Sequence, residues 1–326
     1  MVCAASCSVS PPSAELLIYN GKDPYIESYM KDLQLDALGL FPLTVHDAKN
    51  SQVVQNEYLE QAIARGAPLV IVNPVDRLAA YSMIQTLKRE DIPVIFFNRE
   101  PLEDDLYLWE RAYYVGARAE QSGQMQADLV MDLFGGRPED LNKYDRNGDN
   151  VIQTILLKGE QGHQDAEART REGLRSFEIA GFVLEVLALE IANWNRGQAY
   201  ELMGTLIEDF GDEMELVLSN NDAMALGAIN RMRQSGMFKD SNGNGRIDKD
   251  DEQWVPVVGI DGLDEAVDQI RSGYMYATVL NDSGTQAKAV VNLAAALIDG
   301  SSLSDLKHPL VEGKYIWIDY QPLMLE

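Results

Sequence analysis

The chain has 326 residues, with 27 Lys and Arg against 52 Asp and Glu, a formal charge of −25 at pH 7. So acidic a protein is ill suited to nucleic acid or an anionic membrane as its main partner, because binding phosphates takes cations. A hydrophobic fraction of 46% excludes general disorder, and a chain this long suggests about two domains.

Both cysteines, Cys3 and Cys7, precede the first plausible strand, so the body of the chain carries no disulfide framework, zinc cluster or cysteine nucleophile. The opening MVCAASCSVSPPSAE lacks the basic stretch and long apolar run of a signal peptide. Two readings of it stay open. It is the stump of a lipoprotein signal, with AAS before a lipidated Cys7, or it is a flexible tail, residues 1–14, whose cysteines do nothing. No window reaches the ~18 apolar residues of a membrane span.

From Glu15 onward, short apolar runs alternate with longer segments of helical period. The runs are ELLIYN (15–20), PLVIVN (68–73), PVIFFN (93–98), YYVG (113–116), QTILLKG (153–159), ELVLSN (215–220), VPVVGID (255–261), YATVLN (276–281) and KYIWIDY (314–320). Their unbroken Val/Ile/Leu character suits strands buried on both faces of a parallel sheet. The intervening SQVVQNEYLEQAIARG and TREGLRSFEIAG place apolar residues at three and four spacing and stop at glycine. The fold class is therefore α/β, built of repeated βα units.

Nearly every run is followed by a side chain able to make directed hydrogen bonds: Asp23, Asn98, His163, Asp165, Asn221, Asp261 and Asn281. Ligands of open parallel sheets bind beyond the carboxyl ends of the strands, so these residues predict one shared polar site. For any single one of them, capping of the next helix is the competing reading.

Two polar segments, Gly135–Asn150 and Lys239–Gln253, interrupt the pattern. The second contains a 12-residue EF-hand-type loop with oxygen-bearing side chains Asp240, Asn242, Asn244, Asp248 and Asp251 at positions 1, 3, 5, 9 and 12. Gly245 takes position 6, and the Arg246 carbonyl would serve at position 7. The first follows the same plan from Asp145 through Asn147 and Asp149 to Gln153, then enters a strand without its closing carboxylate. Alone, it reads equally as a cation site or a turn.

LLKGEQGHQDAEART (156–170) resembles the LLKGEPGHPDAEART stretch of the periplasmic glucose/galactose-binding proteins of bacterial ABC transporters, the type I periplasmic-binding-protein fold. SNNDAMALGA (219–228), FFNREP, AYYVG and TVLND are similar to that family's segments in the same order, from about Glu15 to about Tyr320. The resemblance implies two Rossmann-like lobes joined by three crossing strands and closing on sugar like a hinge. Their expected bounds are residues 15–117 with 283–317, and 118–282 with 318–326. It implies a sugar site of Asp23, Tyr25, Asn98, His163, Asp165, Arg169, Trp194, Asn221, Asp261 and Asn281. Pro24 and Tyr25 depart from the family, which usually has Phe at the second position, and this leaves fine specificity open. It also implies that Glu215 completes a calcium site of Asp145, Asn147, Asp149, the Val151 carbonyl and Gln153. The Asp240 loop, with Arg246 and Asp251, is an insertion outside that pattern, and its calcium is inferred from spacing alone.

These residue types suit a pyranose. Aromatic rings such as Tyr25 and Trp194 cover its C–H faces, carboxylates accept from its hydroxyls, and Arg169 donates in a fixed fork. The expected protein is a monomeric, extracytoplasmic, non-catalytic receptor for galactose and glucose that delivers hexose to an ABC permease. Another monosaccharide, or a sensing role toward a chemoreceptor or kinase, is the alternative. A glycosidase using Asp165 and Asp261 would need one selectively raised pKa, and a repressor would need a basic helix-turn-helix before the first strand. His46 and His308 are expected to be surface or packing residues without an acidic partner at ligand spacing.

Overall fold

The computed structural model describes residues 13–250 and 252–324. The chain divides into two compact units and passes between them three times. The chain up to Gly116, with Ser283–Ile318, forms the first; Ala117–Asp282 with Asp319–Glu326 forms the second. Each unit is α/β, the class expected from the sequence.

In the first unit, β1 (Ala14–Ile18), β2 (Leu43–Asp47), β3 (Val70–Val72), β4 (Val94–Phe97) and β5 (Ala112–Gly116) alternate with α1 (Pro24–Asp36), α2 (Gln52–Ala64), α3 (Ala80–Arg89) and the short α4 (Glu103–Leu106). The second unit repeats the plan. It holds α5 (Ala119–Leu133), β6 (Ile152–Lys158), α6 (Gln164–Ala180), β7 (Leu184–Ile191), α7 (Arg196–Phe210), β8 (Leu216–Ser219), α8 (Asp222–Gln234), β9 (Val257–Asp261), α9 (Asp264–Arg271) and β10 (Ala277–Leu280). Then α10 (Ser283–Asp299) and β11 (Tyr315–Trp317) return to the first unit, and β12 (Gln321–Met324) closes the second.

Among the described residues each unit has one six-stranded sheet, ordered β11-β5-β4-β3-β1-β2 and β12-β10-β9-β8-β6-β7. All neighbours pair in parallel except β10 and β12, which are antiparallel. Chain order reverses beside β1 and beside β6, and in doubly wound sheets such a switch point opens a crevice at the strands' carboxyl ends.

The sequence places these bounds nearly, and three residues differ. Ala14, expected in the tail, begins β1, because its N–H bonds to Pro42 O beside the β2 pairing. Ile318 stays with the first unit, since its N–H donates to Gly116 O and prolongs the β11–β5 ladder. Ala117 belongs to the second unit and packs on that unit's core. Cys3, Cys7 and the rest of residues 1–12 of the expected tail lie outside the described residues, as does Asp251. No helix among the described residues is long and apolar enough to cross a membrane.

His46 has an acidic partner that its place in the sequence does not show. The parallel register of β1 and β2 sets its Nε2 2.5 Å from Oε2 of Glu15, a buried carboxylate that Arg65 bonds through Nε and NH2. The partner comes from a strand 31 residues away, which local spacing does not reveal.

Close packing of α5 on α6 backs the second unit's polar groups. A Cβ on Gly123 would lie 2.4 Å from Arg169 O and 3.0 Å from Gly173 N, both main-chain atoms that cannot swing aside. Gly123→Ala is therefore expected to force the helices apart and to cost about 1–3 kcal/mol, read as a lower melting temperature.

Candidate functional site

In the first unit Asp23, Tyr25 and Asn98 lie just beyond the carboxyl ends of β1 and β4. Asp23 caps α1: its Oδ1 accepts from Tyr25 N at 2.8 Å and from Ile26 N at 3.2 Å. Its Oδ2 accepts from the Tyr19 hydroxyl, and the Arg99 guanidinium lies 3.8 Å from the centre of the Tyr19 ring. Burial, with the Asp23 charge, pushes the Tyr19 hydroxyl well above its ordinary pKa, so it stays a donor. Tyr25 is buried, with its ring centroid 6.0 Å from that of Tyr29. Asn98 sits at φ +59°, a left-handed conformation that suits Asn better than most residues. Asn73 Nδ2 donates to its Oδ1 at 3.0 Å, and Tyr114 OH donates to its carbonyl at 2.9 Å. Tyr19, Asn73 and Arg99 thus support the site from positions that the sequence reading did not single out.

The second unit holds the other seven candidates, and among them the buried Arg169 draws Asp165, Asp261 and Trp194 together. Arg169, on the first turns of α6, lies with NH2 3.7 Å from Asp165 Oδ2 and NH1 3.8 Å from Asp261 Oδ1. NH1 also donates to Asn220 O at 2.6 Å, and NH2 to Tyr320 OH at 3.1 Å. Burial opposes the guanidinium charge, but Tyr320, Asp165 and Asp261 outweigh it and raise the pKa. Burial likewise pushes the Tyr320 hydroxyl up to about 12, with Arg169 pulling the other way. Arg169 Nε is buried with no hydrogen-bond partner among the described residues.

Trp194 supplies the ring. It stands at φ +62° beyond β7, with its six-membered edge over Gly159, where any Cβ would approach to 2.3 Å. The His163 ring meets it edge-on at 5.1 Å, and the Arg169 guanidinium lies 5.7 Å from its centre. Its Nε1 is a buried donor with no acceptor among the described residues. His163 caps α6, accepting from Asp165 N through Nδ1, and Asn221 caps α8, accepting from Met224 N. Capping and site-building therefore coincide at Asp23, His163 and Asn221. A cap side chain that points at a helix N-terminus also sits at the strand's carboxyl end.

Asp261 and Asn281 end the neighbouring strands β9 and β10, and Asn281 N donates to Asp261 O at 3.1 Å. Asp261 has φ +131°, a conformation that strains any residue other than glycine. Next to Asn221 lies Asp222, fully buried, whose carboxylate accepts from Thr278 Oγ1, Gly262 N and Leu263 N at 2.7, 2.7 and 2.9 Å. Burial raises its pKa to about 6 against these bonds.

The two acidic loops adopt one hydrogen-bond pattern. In the first, Asp145 accepts from Gly148 N and Asn150 N, Asn147 from Asp149 N, and Asp149 from Val151 N. Glu215, just before β8, spans the loop by accepting from Arg146 N at 2.6 Å and Gln153 N at 3.4 Å. Burial raises its pKa, opposed by those two bonds. Gln153 is 3% exposed, and its Oε1 is buried with no donor among the described residues.

In the second loop Asp240 accepts from Gly243 N and Gly245 N, Asn242 from Asn244 N, and Asn244 from Arg246 N. Glu252 takes the place Glu215 has in the first, accepting from Ser241 N and from Asp248 N. The sequence reading passed it over because it lies one residue beyond the twelfth position. Among the described residues no three His, Cys, Asp or Glu side chains form a metal-holding group by themselves. Both loops mix carboxylates with amide and main-chain oxygens, the hard donor set that calcium takes.

Residues 16–302 match the periplasmic binding protein domain, so the chain belongs to the periplasmic binding protein family. The family is one of extracytoplasmic binding proteins, and the chain is accordingly a binding protein and not an enzyme. It is 33% identical over 311 residues to the D-galactose/methyl-galactoside binding periplasmic protein MglB of Haemophilus influenzae, covering 93% of this chain and 88% of that one. A putative rhizopine-binding protein of Rhizobium meliloti is 28% identical over 302 residues, covering 92% and 85%. Among solved structures, an ABC transporter solute binding protein of Bacillus halodurans with bound myo-inositol is 25% identical with a TM-score of 0.75, covering 97% of this chain and 95% of that one.

Proposed function

We propose that this protein is the sugar-binding component of an ABC transporter and takes D-galactose and D-glucose. The observation that carries the reading is the Arg169 cluster, in which a buried guanidinium between two carboxylates lies beside the Trp194 ring. A pyranose needs this combination: an apolar ring for its C–H face and charged partners for its hydroxyls. Similarity to a galactose/methyl-galactoside binding protein favours a hexose. Asp23, Tyr25 and Asn98 of the first unit would contact the same sugar as the seven residues of the second. Asp23 would accept from the 4-hydroxyl of either epimer, and Asp165 would face the anomeric hydroxyl. A ligand held by both units has a differential affinity for the form that grips it, and the permease would recognise that form. A chemoreceptor is a further possible reader of it, and lipidation of Cys7 would hold the protein at the membrane's outer face.

Calcium is the second part of the proposal. Asp145, Asn147, Asp149, the Val151 carbonyl, Gln153 and Glu215 would hold one ion, and the buried, unpartnered Oε1 of Gln153 supports the fit. Asp240, Asn242, Asn244, the Arg246 carbonyl and Asp248 would hold a second, closed by Glu252 or by Asp251. The ions would tie each loop to its neighbouring elements.

A thermal-shift panel at about 1 mM sugar, well above a micromolar Kd, tests the ligand class. Galactose and glucose are expected to raise the melting temperature by several degrees, while ribose and myo-inositol leave it unchanged. A shift with myo-inositol alone would favour a polyol receptor, the reading that the myo-inositol-bound relative supports.

A further inference from the structure

We propose that Asp222, which need not touch the ligand, is a positioning residue of the sugar site that holds the Asp261 carboxylate where a hydroxyl can reach it. The inference rests on the sugar reading above and extends it to a residue behind the site.

Three observations carry it. Asp261 is strained at φ +131°, and such a conformation persists only where its surroundings over-determine it. The next two N–H groups in the chain, of Gly262 and Leu263, both donate to Asp222 Oδ2, which fixes the turn immediately after the strained residue. The other oxygen accepts from Thr278 Oγ1, three residues before Asn281. One carboxylate thus binds together the segments that present Asn221, Asp261 and Asn281.

The local sequence makes room for it. A Cβ at Gly259, on β9, would lie 2.1 Å from Asp222 Oδ1, so any other residue there would displace the carboxylate. A fully buried carboxylate without a directly bonded cation is costly, and a neutral side chain would be the simpler core choice. An asparagine keeps one acceptor for the Gly262 and Leu263 N–H groups but loses the charge that strengthens both bonds, and its NH2 takes the place of the oxygen that accepts from Thr278 Oγ1.

A double-mutant cycle with calorimetric hexose titration separates positioning from general support. Asp222→Asn is expected to weaken galactose and glucose binding about tenfold while the circular dichroism spectrum stays that of the folded protein. In an Asp261→Asn background the same change is expected to cost less than about twofold, because its target is already gone. Equal losses in both backgrounds, or unchanged affinity in Asp222→Asn, would overturn the inference. Should Asp222→Asn not fold, Thr278→Val removes one of the three bonds and enters the same cycle, with a smaller loss expected. If the wild-type protein binds no hexose, the sugar reading fails and this inference fails with it. That result differs from wild-type binding that Asp222→Asn leaves intact.

Discussion

Replacing Arg169 by Met is expected to weaken hexose binding at least about a hundredfold and to lower the melting temperature by several degrees. The guanidinium makes two kinds of contact. It holds Asp165 and Asp261 within 4 Å, and it donates to Asn220 O and Tyr320 OH at ordinary hydrogen-bond lengths. Met keeps the volume and removes all of these at once. Two largely buried carboxylates then face each other's charge without compensation, and an uncompensated buried charge costs about 3–5 kcal/mol. The carboxylates would move or take up protons, and either response spoils them as acceptors for sugar hydroxyls. Calorimetric titration and thermal melts of the folded variant check both parts. Affinity within about threefold of the wild type would show that Arg169 supports the fold and not the ligand.

Calcium removal is the second large expected effect. Chelation should lower the melting temperature of the wild-type protein, because an ion that binds only the folded state stabilises it by about 2.7 kcal/mol at a hundred times its Kd. For a unit of this size that corresponds to roughly 5–10 °C. Glu215 spans the first loop from outside it, so Glu215→Gln should lower the melting temperature in calcium and reduce the response to chelator to that of the second loop alone. Equilibrium dialysis should count two ions for the wild type and one each for Glu215→Gln and Glu252→Gln. A wild-type melting temperature indifferent to chelator would argue that both loops stand on their internal hydrogen bonds alone.

How much of this was legible in the sequence follows from burial. Eight of the nine continuous runs became β1, β3, β4, β5, β6, β8, β9 and β10, which lie inside their sheets where both faces are apolar, and the ninth, KYIWIDY, became the edge strand β11. The runs missed three strands, β2, β7 and β12, and each is a sheet edge. Their residues are largely half-buried or exposed, so HPHP-like mixtures such as LTVHD and LEVLALEI do not stand out as apolar runs.

The polar residues at strand ends were legible for the same geometric reason that makes them useful: in a parallel sheet every carboxyl end falls on one edge. The supports were not. Tyr19 meets Asp23 across a loop of four residues, Arg99 and Asn73 meet their targets through tertiary contacts, and Asp222 meets Thr278 across 56 residues. Glu252 was not singled out because the loop template ends by count at Asp251, whereas the Glu252 side chain turns back to accept from Ser241 N and Asp248 N.

The central claim is that a hexose is the ligand and is bound without chemical change. Calorimetric titration of D-galactose and of D-glucose into the calcium-loaded protein tests it most directly. One sugar per chain with micromolar or tighter affinity, about −8 kcal/mol or better, and sugar recovered unaltered afterwards is the predicted result. No heat with either hexose, or hydrolysis of an aryl galactoside that Asp165→Asn abolishes, would contradict it.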